Sequence, residues 1–153
     1  MMEKQQLPEK PFLDATKSVF KSMLDMDIDS LPGDENPKQE ENVRIEIAMV
    51  GDLSGSVVYN FPKSTTLNIV KTLSGMEADR LDDFATSMLG EMANIISGNA
   101  ATSLSGANCK CDIRPPQITI SHMAQSDSHN SVDMLLHSQV GELCEHICLS
   151  SNV

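Results

Sequence analysis

The recurrence and alternation of apolar side chains divide this chain into helices and strands before any one residue is singled out. In residues 11–26, Phe12, Ala15, Val19, Phe20, Met23 and Leu24 return every three or four positions, the spacing that lines one face of a helix. Residues 43–61, VRIEIAMVGDLSGSVVYNF, alternate in their first part and break at Gly51 and Gly55, which predicts a β-hairpin. Ser64 then stands where it can cap a short helix reaching Leu73. Residues 81–104 carry a second long helical pattern ending near Gly106, against which the first helix is expected to pack. Residues 111–121 read as extended, with Pro115 and Pro116 excluding a central ladder position at that point. Residues 132–138 and 142–149 form a last hairpin about Val140 and Gly141. This order predicts an α+β fold, an antiparallel β-sheet packed against two long α-helices and a short one. Between residues 25 and 42 acidic side chains mix with Pro32, Gly33 and Pro37, the composition of an exposed acidic connection.

The second long helix is the more informative of the two. With Ser87 at zero and about 100° per residue, Glu91 falls near 40° and Asn94 near −20°, while Met88, Leu89, Met92, Ala93, Ile96 and Ala100 fill roughly 100° to 240°. A carboxylate and a carboxamide therefore stand side by side on the face opposite the greasy one. Gly90 and Gly98 flank this stripe at about −60° and 20°, although a helical glycine costs about 1 kcal/mol relative to alanine. Their missing side chains are expected to leave a flat landing surface. Aligning Phe12 with Phe84 sets Ala15, Val19 and Ser22 against Ser87, Glu91 and Asn94, so this faint internal echo leaves the first helix without the polar set.

Composition narrows the classes of function. The 153 residues suit a single domain, 1–153, with an aliphatic, methionine-rich core, since aromatics make up only 3% and tryptophan is absent. A formal charge of −11 argues against nucleic acid and against an anionic membrane, which are held by clustered Lys and Arg. The opening MMEKQQLPEKPF lacks the basic and apolar segments of a signal peptide, and no stretch approaches the ~18 apolar residues of a membrane span, so a cytoplasmic protein is expected. Cys109, Cys111, Cys144 and Cys148 are expected as thiols in a reducing compartment. Zinc is the sharper alternative, because Cys144, His146 and Cys148 would share one side of a strand and Cys109 and Cys111 another; the spacing is not the paired C-x2-C of zinc sites, and no metal is assigned. His122, His129 and His137 have no recognisable partner and receive no role.

A Glu and an Asn three apart on an exposed helix describe, by themselves, a solvated face. The longer pattern is more specific: Ser87, three residues, Glu91, two residues, Asn94, twenty-one residues, then Pro116, with ISGNA following at residues 96–100. It resembles the phosphatase signature of the CheC, CheX and FliY family of bacterial chemotaxis proteins, in which Asp or Ser is accepted first. One copy of the signature on one domain is similar to the CheX-like members. The resemblance is strong over residues 84–116 and rests elsewhere on element order and length. It implies a protein that dephosphorylates response regulators such as CheY, hydrolysing the acyl phosphate on the receiver's aspartate. It further implies that Glu91 pairs with the receiver's active-site lysine, that Asn94 enters the receiver's site to orient the attacking water, and that Ser87 and Pro116 shape or support the helix. A homodimer through sheet edges is implied as well.

Chemistry makes a parallel demand. Phosphoryl transfer needs a water held in line and a cation against the charge developing on the phosphoryl oxygens, and this helix offers no cation. Glu91 and Asn94 suffice if the partner brings both Mg²⁺ and lysine, so this chain itself is expected to bind no cofactor. The Asn94 amide can donate to and accept from one water while staying uncharged beside phosphate. Glu91 can orient a docking partner through an ion pair. Two other readings use the same residues: a non-catalytic binding module for a phosphorylated receiver, and a structural homodimer whose polar stripe is merely wet.

Overall fold

The computed structural model of the chain describes residues 8–30, 41–121 and 132–152. Helix α1 (Glu9–Val19) runs on into one π-helical turn, Phe20–Leu24, and is followed by β1 (Ile28–Ser30). Then come the hairpin β2 (Asn42–Gly51) and β3 (Leu53–Pro62), helices α2 (Lys63–Ser74) and α3 (Asp83–Gly106), strands β4 (Cys111–Ile113) and β5 (Gln117–Ser121), and the hairpin β6 (Val132–Ser138) and β7 (Gly141–Ser151). The strands form one antiparallel sheet in the order β1-β6-β7-β3-β2, with β4 and β5 both pairing to β2 on its outer side. This is the α+β architecture that the apolar pattern predicts.

Alternation decides which way the sheet faces. Val43, Ile45 and Ile47 of β2 stand in register with Phe61, Tyr59 and Val57 of β3, and all six are buried on the side that α1 and α3 cover. Leu143, Ile147 and Leu149 of β7 and Met134 and Leu136 of β6 extend that layer. Helix α1 meets it with Phe12, Ala15 and Val19, and α3 with Leu89, Met92, Ala93, Ile96 and Ala100. The two long helices also pack on each other. Among the described residues Phe84 is the one exposed aromatic, whereas Phe12, Phe20, Tyr59 and Phe61 lie fully inside.

The structure departs from the sequence pattern in several places. The first regular helix stops at Val19, and the π turn that follows ends at Asp25, whose left-handed φ of 57° turns the chain away. Within the acidic stretch, residues 28–30 form β1: Ile28 is only 2% exposed and pairs with Ser138 of β6, so part of that stretch is structure rather than solvated connection. Residues 31–40 lie outside the described residues, as do His122 and His129. Ser64 does not cap α2; Pro62 occupies the cap position without a side-chain bond. Gly51 ends β2, but Gly55 sits inside β3 at φ 138°, where a Cβ would come within 2.0 Å of the Cys148 carbonyl oxygen. Glycine there keeps β3 and β7 together rather than breaking a strand. The extended stretch 111–121 is two strands, with the break at residues 114–116, where Pro115 and Pro116 supply no N–H for a ladder.

Candidate functional site

Helix α3 is 24 residues long, about 36 Å at 1.5 Å per residue, and begins at a defined cap: the Asp82 carboxylate accepts a hydrogen bond from the Ala85 N–H at 3.0 Å. Its buried residues include Ala85, Leu89, Met92, Ala93, Ile96 and Ala100, and also Gly90 and Ser97. The buried arc is thus displaced toward Gly90 and Ser97, and Met88, on the other flank, is only half-buried. What remains outward is the stripe. Ser87 and Glu91 are exposed and Asn94 is half-buried beside them, so the helix brings together the carboxylate and carboxamide that the spacing predicts. Among the described residues neither Glu91 nor Asn94 has a side-chain hydrogen bond or ion-pair partner within the chain.

The flanking glycines differ in what they do. Gly90 is buried under β5: a Cβ there would meet the Ile118 Cδ1 at 2.6 Å. Its missing side chain admits Ile118 rather than leaving an open landing surface, because the edge strand closes over that side of the helix. Gly98 is half-buried, with Ile113 Cδ1 at an ordinary 4.0 Å from a built Cβ. Since Ile113 lies by Gly98 and Ile118 by Gly90, the β4–β5 segment runs antiparallel to α3, which puts the half-buried Pro116 between them at the level of Asn94.

Sequence reasoning gave no role to Asp82, Phe84, Tyr59 or Ser97. The Asp82 cap was readable from an acidic residue three positions ahead of Ala85. Phe84 is 51% exposed on the stripe's own side, two turns ahead of Glu91. Ser97 shares a 2.7 Å hydrogen bond with the phenol of Tyr59, and both groups are fully buried. Nothing in the local pattern marks that bond, because its two ends lie 38 residues apart.

A cavity of about 80 Å³ is lined by Pro62, Ser64, Thr65, His137, Gly141 and Glu142, none of them a stripe residue. The Cys109 and Cys111 sulfurs lie 3.9 Å apart, no disulfide joins any of the four cysteines, and His146 holds Asp133 at 2.8 Å. Among the described residues no three His, Cys, Asp or Glu side chains converge as metal ligands, and no helix is long and apolar enough to cross a membrane. With no side-chain partner for Glu91 or Asn94 among the described residues, the pair is open to a group that another molecule presents.

Residues 43–135 match the family described as "Chemotaxis phosphatase CheX", and the chain belongs to that family. Over 73 residues it is 36% identical to the CheY-P phosphatase CheX of Thermotoga maritima; this stretch is 47% of each protein, so the chain spans about half the length of that relative. Its fold is similar to that of the chemotaxis protein CheX from Vibrio vulnificus, with a TM-score of 0.84 at 22% identity over 97% of this chain and 100% of that one. It is also similar to a chain in the crystal structure of the CheX–CheY–BeF3–Mg²⁺ complex from Borrelia burgdorferi, with a TM-score of 0.71 at 24% identity over 94% of this chain and 97% of that one.

Proposed function

We propose that this chain is a response-regulator phosphatase that hydrolyses the aspartyl phosphate of a CheY-like receiver domain, with Asn94 orienting the attacking water and Glu91 pairing with the receiver's lysine. The observation that carries this reading is the side-by-side placement of the exposed Glu91 and the half-buried Asn94 on a capped helix, both without side-chain partners among the described residues. The Thermotoga maritima relative, named a CheY-P phosphatase, supports the activity, and the Borrelia burgdorferi complex, which holds CheY with BeF3 and Mg²⁺, supports the partner. The catalytic cation is the receiver's own Mg²⁺; this chain adds orientation. Holding a reactant in line lowers a barrier by several kcal/mol without a covalent step on the phosphatase. Ser87, Gly98 and Pro116 shape the docking face, and Gly90 seats β5 against it. A cytoplasmic location follows from the receiver's.

The same reading includes a homodimer through sheet edges. Among the described residues strand β5 pairs with β2 alone, and its Ile118 and Ile120 are 36% and 45% exposed, so β5 is an edge strand of the kind that second copies extend.

Mixing the chain with phosphorylated receiver and following phosphate release tests the activity. Decay many-fold faster than that of the receiver alone is expected. Unchanged decay overturns the catalytic reading, and capture that depends on phosphorylation without faster decay establishes a binding module in its place.

A further inference from the structure

On its covered side, α3 is fastened to the sheet by a buried hydroxyl. Ser97 lies one turn beyond Asn94 on a helix side otherwise made of Leu89, Met92, Ala93, Ile96 and Ala100, and its Oγ meets the Tyr59 phenol at 2.7 Å. Aliphatic contacts are non-directional, so they hold a helix at its distance from a sheet while fixing its rotation only loosely. A hydrogen bond weakens steeply as its angle degrades, and so fixes rotation directly. The sheet end of this bond is itself held. Tyr59 stands between its register partners Ile45 and Glu145, and the Glu145 carboxyl accepts a hydrogen bond from Thr16 of α1.

We infer that Tyr59 and Ser97 set the rotation of α3 that aims Asn94, which makes them positioning residues for the hydrolysis; this rests on the function proposed above. Turning a helix by ~10° moves a side-chain atom ~6 Å from its axis by ~1 Å. A misplacement of ~1 Å can cost ~100-fold in rate. Ser97 and Tyr59 touch neither the receiver nor the water, so their influence reaches the reaction only through the helix.

The test uses Tyr59→Phe, Ser97→Ala and the double variant, with kcat and KM for phosphate release, thermal unfolding, and the NMR signals of the Asn94 side-chain amide in the free protein. Each single change strands a buried hydroxyl, whereas the double change removes both and relieves that cost. Each single variant is expected to lower kcat by ~10- to 100-fold, with KM within about twofold of the parent, and to melt earlier. The double variant is expected to regain most of the melting temperature and keep the low kcat, with the Asn94 amide signals displaced in all three. If the double variant regains kcat together with stability, or the single variants keep parental kcat, the bond is structural only and the inference fails. Tyr59→Phe preserves ring volume, so a folded variant is available even if Ser97→Ala unfolds. A parent chain without phosphatase activity overturns the proposed function instead, and the Asn94 signals then decide the inference: displaced in Tyr59→Phe they support it, unmoved they end it.

Discussion

Helices α1 and α3 lie side by side on the same face of the sheet, yet when Phe12 is aligned with Phe84 they turn opposite sides to water. Phe12, Ala15 and Val19 are buried, whereas Phe84, Ser87 and Glu91 are exposed. Helix α1 carries one apolar stripe, and burying it at about 25 cal/mol per Å² settles which way it faces. Helix α3 carries a second apolar stripe, Leu89, Met92, Ala93, Ile96 and Ala100, and that stripe takes the core. The side left over is free for a partner. Each helix also makes one buried side-chain hydrogen bond to the sheet, Thr16 on Glu145 and Ser97 on Tyr59, but only α3 carries the polar stripe to which the proposed function is assigned.

Exchanging the chemistry of equivalent positions attacks this contrast most directly. Val19→Glu would place a carboxylate at a site only 2% exposed and should cost ~3–5 kcal/mol of stability, enough to unfold a marginal domain. Glu91→Val, at the aligned exposed position, should stay within ~0.5 kcal/mol. Urea unfolding of both variants measures the difference; equal costs would mean that the two helices do not differ as described. Asn94→Ala comes next. It should lower kcat by ~100-fold or more, about 3 kcal/mol, with receiver binding changed only a few-fold, whereas Glu91→Ala should weaken both terms. Parental kinetics in both variants would remove the active pair from α3.

Much of this architecture is legible in the sequence because the signals are local. The period of two in β2, the Pro115–Pro116 break and the three-four spacing of α3 each act within a few residues. Strand β1 escapes such reading: it has three residues, and what stabilises it is pairing with β6, more than a hundred positions away. Ser97 escapes for the same reason, since a wheel places it on a flank and only Tyr59 tells that the flank is buried. The Glu91–Asn94 pair is visible as a stripe, but the meaning of the stripe comes from its longer spacing to Ser87 and Pro116. Gly90 shows the limit of the wheel most plainly. Its angle is correct, but the surface expected there is covered by Ile118, a neighbour that helical geometry alone cannot supply.

The buried anchor of α1 offers a pH test that the anchor of α3 should not share. Glu145 is fully buried, and burial pushes its carboxyl up to about 8 from an ordinary 4.5, with the Thr16 hydrogen bond pulling the other way. Below pH 4.5 the folded and unfolded chains both hold this proton, so it contributes no difference. Between there and about 8 the unfolded chain releases it while the folded chain keeps it, and stability should fall by up to ~1.4 kcal/mol per pH unit before levelling off. Tyr59 is held well above its ordinary value by burial and Cys144 is pushed up to about 11, so neither titrates in this window. Urea unfolding at several pH values should show this fall in the parent and a flatter curve in Glu145→Gln; parallel curves would show that Glu145 ionises freely in the fold. Ser97→Ala should leave the shape of the curve unchanged.

The smallest effects separate the two glycines of α3. Alanine gains about 1 kcal/mol over glycine in a helix interior. At Gly98 nothing opposes that gain, because the nearest side-chain atom lies 4.0 Å from the added methyl. Gly98→Ala should therefore stabilise the protein by ~0.5–1 kcal/mol. At Gly90 the same methyl meets Ile118 Cδ1 at 2.6 Å, and Ile118 must turn away, so Gly90→Ala should gain little or lose slightly. Combining it with Ile118→Val, which removes that terminal methyl, should restore most of the helical gain. Thermal unfolding of the three variants measures this. A full gain in Gly90→Ala alone would show that β5 does not press on α3. Function should divide the pair differently: Gly98 lies on the outward stripe beside Asn94, so the more stable Gly98→Ala is expected to raise KM for the receiver a few-fold, a cost that docking alone would impose.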